Sequence, residues 1–167
     1  SLYAMRETRM KRMLAYSSVA QIGYIYMGIG LGTRIGMTAA CFHILAHAIT
    51  KTMLFVCCGQ MVEDSGNKEQ IFHLKGAGLR NPLAGIGFTA GALSMVGVPL
   101  TAGFISKLYF ASASVYAPGK MAAVLVVLAI SMILNALYFL PSTIAIWTPA
   151  KTEEQETKVK IYLFRHG

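Results

Sequence analysis

Acidic residues are scarce in this 167-residue sequence: seven Asp and Glu stand against fifteen Lys and Arg, with a formal net charge of +8. The seven are Glu7, Glu63, Asp64, Glu69, Glu153, Glu154 and Glu156, and all are expected in loops or tails, outside the apolar runs. Cysteine is sparser still. Cys41, Cys57 and Cys58 lie in apolar sequence without CxxC spacing, which argues against a disulfide framework or a zinc knuckle and leaves small helix-packing residues. There is no Gly-rich phosphate loop and no Ser-His-Asp grouping, so no catalytic centre is expected in the chain. A basic surplus in a soluble protein would raise nucleic acid as a partner, but no basic stripe with interleaved aromatics is present and none is expected to bind.

What the sequence has in abundance is apolar residues: 55% are hydrophobic, only 13% are charged, and the mean hydropathy is +0.54. That composition belongs to the membrane class, and the length is best counted in crossings of about 20 residues, of which about four or five fit. The lipid bilayer is the first partner it implies. The basic residues fall mostly between the apolar segments, where loop bias and anionic headgroups account for them. The chain starts at Ser1 and shows no charged region followed by a cleavable apolar stretch, so no signal peptide is expected and the chain reads as a piece of something longer.

Residues 1–12 form a basic juxtamembrane segment with Arg6, Arg9, Lys11 and Arg12. A spanning helix is expected over about 13–31, with Ser17, Gln21 and Tyr24 on one face turned toward protein and Gly23, Gly28 and Gly30 allowing close helix approach. A second helix is expected over 35–62, then a polar loop over 63–81. Apolar segments follow at 82–98 and 101–116. Gly97, Pro99 and Gly103 lie between or at the start of them, and proline's missing donor with glycine's low helix propensity predicts an interruption near 97–103. Such a break at membrane depth needs burial in protein or a wet cavity. A last helix is expected over 121–147, with Ser131, Asn135 and Tyr138 on one face and Trp147 as an interface anchor; residues 148–167 form a polar tail whose patch at 161–164 could lie on the membrane surface. If 82–116 makes one interrupted crossing, the basic residues of the N-terminus, loop and tail share a side, with Arg34 and Lys120 opposite, and the charge rule prefers this to two crossings.

Inside the second helix, "FHILAHAITKTML" at 42–54 places His43, His47 and Lys51 four residues apart, hence on one face, with His43 and Lys51 about 12 Å apart along the axis. A lysine near the bilayer centre costs roughly 2.5–3.5 kcal/mol, which an inert helix does not offset. Three ionisable groups on one face point to a proton or cation relay, since histidine titrates near neutral pH and a desolvated lysine can exchange protons too. The competing reading pairs the lysine with a carboxylate elsewhere and the histidines with backbone carbonyls. Lys107, just past the expected break, would meet the freed carbonyls of a half-helix, as ions do in many transporters; a lysine snorkelling from a short helix is the alternative. No metal site is expected, because Ile44 occupies the glutamate position of HExxH, and two histidines at i, i+4 cannot face each other across a haem iron. No cofactor is therefore assigned.

Three ordered stretches, "KRMLAYSSVAQIGY" at 11–24, "HILAHAITKTMLFVCCG" at 43–59 and "VGVPLTAGFISK" at 96–107, resemble the antiporter-like proton-translocating membrane subunits of respiratory complex I, a family shared with multisubunit sodium/proton antiporters and membrane-bound hydrogenases. The His-x3-His-x3-Lys pattern and the "TAGFISK" ending look most like the large distal complex I subunit type. The resemblance implies an all-α polytopic transmembrane helix bundle built from two inverted repeats, of which this chain is similar only to the second, with the helix that follows its interrupted element. It implies that Lys51 is the repeat's central lysine, that His43 and His47 form its hydrated connection, that Lys107 is the titratable residue of the broken helix, and that Lys11 is the lysine of the D-x-K-R motif. Arg9 stands where that motif usually has aspartate, which removes a possible partner for Lys11.

The function so implied is proton, or Na+/H+, translocation within a complex I-like NADH:quinone oxidoreductase or a multisubunit antiporter, in a bacterial or archaeal plasma membrane. Partner subunits would include a source of the missing first repeat. The alternative is a non-conducting structural subunit or truncated fragment that docks its neighbours.

Overall fold

In the computed structural model, residues 1–150 are described; the patch at 161–164 and the rest of the tail beyond 150 lie outside them. Among the described residues the chain is helical, apart from one isolated bridge between Arg9 and Gln70. The helices are α1 (Leu2–Arg6), α2 (Met10–Gly30), α3 (Arg34–Asp64), α4 (Ala77–Arg80), α5 (Pro82–Val96), α6 (Ala102–Val115) and α7 (Pro118–Trp147), with a 3-10 turn at Ile71–Leu74.

Local chemistry explains the ends. Thr33 caps α3 by accepting from the Gly36 amide at 3.0 Å, and Asn81 caps α5 through the Ala84 amide at 3.1 Å, with Pro82 at the first helical position. Pro118 starts α7 in the same way, three residues earlier than the expected onset at 121. Gly97, at φ +93°, stops α5 in a left-handed cap. Thr101 then caps α6 through the Phe104 amide at 3.3 Å. Glu63 and Asp64 form the exposed last turn of α3, one turn inside the helix and not in the loop that composition suggested.

α3 is the central helix, packed against α2, α5 and α6, while α7 covers α5 and α6. Contacts fix the directions. Lys51 meets Leu14, His43 meets Tyr24, and Gly36 meets Gly28, so α2 and α3 are antiparallel. Along α3 in the reverse direction, Gly87 lies against Cys57, Gly91 against Leu54, and Ser106 against His43. α5 and α6 thus continue one another along a single partner. At 15 and 14 residues, each is roughly 21–22 Å long and falls short of a hydrocarbon core of about 30 Å, whereas end to end they are long enough for one broken span. α7 returns antiparallel, with Lys120 donating to the Gly30 carbonyl at 2.7 Å at one end and Trp147 against Gly85 at the other.

Two helices, Arg34–Asp64 and Pro118–Trp147, are individually long and apolar enough to cross a membrane. Their outward residues, among them Leu45, Ile49, Ile133 and Ile144, are exposed and apolar, the surface a hydrocarbon solvent selects. The polar face of α2 is turned inward: Ser17, Gln21 and Tyr24 are buried. Of the three glycines expected to admit a neighbour, only Gly28 does so. A Cβ there would lie 2.6 Å from Phe110 and 2.8 Å from the Gly36 carbonyl, whereas Gly23 and Gly30 face open space.

The segment between α3 and α5 is more ordered than a free aqueous loop. Leu74, Ala77 and Gly78 are buried, and backbone bonds from Met10 to Glu69 and from Ile71 to Thr8 tie it to the N-terminal segment. Trp147 is also drawn into protein: its indole donates to Thr89 Oγ1 at 2.9 Å and its ring lies over Gly78 and Gly85. Cys41 is exposed, Cys57 half-buried and Cys58 buried, all as free thiols.

Candidate functional site

The inward face of α3 carries His43, His47 and Lys51 as a row, and α2, α5 and α6 close around it. Lys51 is 7% exposed, and its ammonium donates to the Leu14 carbonyl at 2.5 Å and to the Ser17 hydroxyl, both on α2. The Phe55 and Phe139 rings flank it at 6.0 and 5.9 Å. Its partners are therefore an amide oxygen, a hydroxyl and two π faces, all uncharged. Such a cation is held by dipoles and quadrupoles alone, which hold it far less firmly than a buried carboxylate would.

One turn away, the His47 and His43 rings stack at 6.1 Å with an interplanar angle of 11°. His43 is 3% exposed, and its Nδ1 lies 2.9 Å from Ser106 Oγ on α6. The Ser106 hydroxyl in turn lies 3.0 Å from the Gly103 carbonyl, to which it donates. Gly103 is buried at the junction of the half-helices; its amide donates to Ser94 Oγ at 3.1 Å, and a side chain there would run into the Ser94 carbonyl. Only glycine fits this close approach.

Lys107 follows Ser106 on α6 and is 4% exposed. Its ammonium donates to the Met95 carbonyl at 3.3 Å, one of the oxygens left unpaired where α5 stops at Val96. Gly97 makes room for it, since a Cβ at that position would lie 3.0 Å from Lys107 Cδ and 3.1 Å from Nζ. Pro99 and Leu100 form the exposed outer side of the break, Leu100 at φ +76°. The Tyr24 ring touches both His43 and Lys107, edge-on to His43 at 5.5 Å and with Lys107 Nζ 5.5 Å from its centroid.

Gln21, His43, His47, Thr50, Ser94 and Gly103 surround a cavity of about 10 Å3, room for about one water. Three buried polar atoms on residues lining this cavity lack a protein partner: Gln21 Nε2, His43 Nε2 and His47 Nδ1. A polar-walled space of this size is suited to hold a buried water.

Lys11 is placed elsewhere. It is exposed at the end of the bundle and pairs with Glu69 at 3.3 Å, while Arg12 pairs with Glu7 at 3.3 Å. Glu69, from the segment between α3 and α5, gives Lys11 a carboxylate partner although the neighbouring position 9 is Arg. Among the described residues, no carboxylate reaches Lys51 or Lys107. The residues that composition and spacing did not single out as partners are Leu14 and Ser17 for Lys51, Met95 for Lys107 and Ser106 for His43. Two of these act through their backbone carbonyls; the two serines had a detectable signal, being small polar residues on otherwise apolar helix faces.

A bundle of long apolar helices with a broken span and ionisable groups in its interior defines a polytopic membrane protein. The chain belongs to the NADH:quinone oxidoreductase/Mrp antiporter transmembrane family, whose model matches residues 1–136. It is similar to NADH-quinone oxidoreductase subunit N of Desulforudis audaxviator, 37% identical over 139 residues that cover 83% of this chain and 27% of that one. It is also similar to NADH-quinone oxidoreductase subunit L of Buchnera aphidicola, 38% identical over 108 residues that cover 64% of this chain and 17% of the relative. Among solved structures, a chain of the Mrp complex from Dietzia sp. DQ12-45-1b superposes with a TM-score of 0.80 at 34% identity, covering 89% of this chain and 27% of that chain. The chain thus spans about a quarter of the length of the first of these relatives.

Proposed function

We propose that this chain supplies one half of a proton, or Na+/H+, path in a multisubunit membrane complex. Lys51 and Lys107 serve as its switching charges, and His43 and His47 pass protons between them through water. The observation that carries the reading is the way both lysines are held: each is buried and bonded only to neutral oxygens, so neither is locked in place by a fixed countercharge. The stacked histidines and the unpaired polar atoms beside the cavity support the relay. Lys11, with Glu69, stands at the mouth of the path on the side of the N-terminal segment, one turn along α2 from the Leu14 carbonyl that holds Lys51.

The remaining half, and the acidic partners a complete path requires, come from sequence or subunits outside these residues. The complex is of the NADH:quinone oxidoreductase or Mrp antiporter kind, in a bacterial or archaeal plasma membrane. Distant redox chemistry or a sodium gradient would then act on the lysines electrostatically.

Lys51→Met in the complete subunit, assembled with its partners and reconstituted in vesicles, tests the reading. Proton transport should fall more than about tenfold with the complex intact. Undiminished transport in an intact complex would instead make this a docking subunit whose buried charges are structural.

A further inference from the structure

The two lysine sites are also joined through α7, by groups outside the histidine row. Asn135 of α7 is fully buried, and its amide donates to the Met95 carbonyl at 3.2 Å, the same oxygen that holds Lys107. Its other end accepts from the Tyr138 hydroxyl at 2.5 Å. That hydroxyl faces Ser17, which accepts from Lys51, and the neighbouring Phe139 ring flanks Lys51. These groups form a series in which hydrogen bonds join Tyr138, Asn135, the Met95 carbonyl and Lys107, and the side of the Tyr138 hydroxyl that faces Ser17 leads on to Lys51.

Its chemistry differs from a proton wire. An amide accepts at oxygen and donates at nitrogen, and it cannot hand on a proton without rearranging to its imidic form. The series therefore carries orientation and polarisation. Ser17 donates to the Leu14 carbonyl at 2.8 Å, and its hydroxyl also faces the Tyr138 oxygen. When that hydroxyl turns to Tyr138, the donors run head to tail from Lys51 to the Met95 carbonyl, the arrangement in which hydrogen bonds reinforce one another. At the far end Asn135 and Lys107 share a single carbonyl oxygen, and each bond weakens the pull of that oxygen on the other. A change in charge at Lys51 alters how strongly Asn135 claims that oxygen, and so how firmly Lys107 is held.

We infer that Asn135 and Tyr138 are positioning residues that couple the Lys51 and Lys107 sites through α7. The inference rests on the proposed role of the two lysines. The groups facing the series are Tyr24 of α2 and His43 of α3 beside Lys107, His47 of α3 beside Lys51, and Ser1 and Tyr24 beside Tyr138.

The test uses the complete subunit in its assembled complex, in vesicles, with transport measured against pH and normalised to assembled complex. Tyr138→Phe and Asn135→Leu should each displace the profile by about half a pH unit or more, in the same direction. The double variant should move it no further than either single, because both break one series. Ser142→Ala removes another buried α7 hydroxyl, bonded to Met13 and to the Tyr138 carbonyl but outside the series, and should leave the profile in place. Unmoved profiles for Y138F and N135L, or displacements that add, overturn the coupling. Lys51→Met, run alongside, separates the two ideas: if it abolishes transport while Y138F and N135L leave the profile unmoved, the lysine path stands and the coupling alone fails.

Discussion

His43 Nδ1 and the Ser106 hydroxyl lie 2.9 Å apart across the α3–α6 contact, joining the histidine row to the residue just before Lys107. Ser106 has one proton and two acceptors in range, the Gly103 carbonyl and the imidazole. With the proton on the carbonyl, His43 donates from Nδ1 and presents a bare Nε2, the buried atom left without a protein partner.

Ser106→Ala should therefore release the tautomer of His43 and leave a buried nitrogen unpaired, at a cost of about 1–3 kcal/mol. Nitrogen-15 histidine spectra of the complete subunit should change from one tautomer to a mixture, and Ser106→Thr should restore the single form. An unchanged spectrum for S106A would show that Ser106 does not set the ring.

Gly97→Ala should be costly for two separable reasons. The residue sits at φ +93°, where a side chain costs about 1–3 kcal/mol, and the new methyl would press on Lys107. We expect a lower melting temperature of the purified subunit together with reduced transport. Unchanged values for both would mean that the break tolerates an ordinary residue.

Gly28→Ala and Gly23→Ala form a contrasting pair on one helix. The first pushes against Phe110 and the Gly36 carbonyl and should destabilise by about 1–3 kcal/mol; the second meets open space and should stay within about 1 kcal/mol of the parent. Thermal unfolding in detergent distinguishes them, and equal midpoints would refute the close α2–α3 approach.

Lys11→Gln removes an exposed ion pair worth no more than about 1 kcal/mol and weakened by salt. If Lys11 stands at the mouth of the path, K11Q should slow transport by a few-fold, most clearly at low ionic strength, and remain far milder than K51M. A complete loss comparable to K51M would move Lys11 into the interior of the path.

Much of this architecture is legible in the chain. The four-residue spacing of His43, His47 and Lys51 puts them on one helix face whatever surrounds it, and Gly97, Pro99 and Gly103 announce a break because neither proline's missing donor nor glycine's freedom suits a continuous helix. The face of α2 bearing Ser17, Gln21 and Tyr24 is legible for the same geometric reason. Less visible are effects of packing: Trp147 reads as an interface anchor but is drawn onto Gly85 and Thr89, and the polar segment after α3 is pinned by Leu74 and Ala77.

The sequence by itself determined the five long apolar helices but not the short α1 and α4, and with them the polar faces, the position of the interruption and the residues able to carry charge in an apolar interior, because these depend on side-chain type and on the fixed 100° turn of the α-helix. Only the tertiary structure decided that α5 and α6 continue one another along α3, that Glu69 meets Lys11, and that Lys51 and Lys107 rest on the carbonyls of Leu14 and Met95. Every residue has a carbonyl, so composition cannot mark the ones that matter. The Met95 oxygen is open because the helix stops beside it, and the Leu14 oxygen serves because α2 and α3 lie close enough for a lysine to reach it.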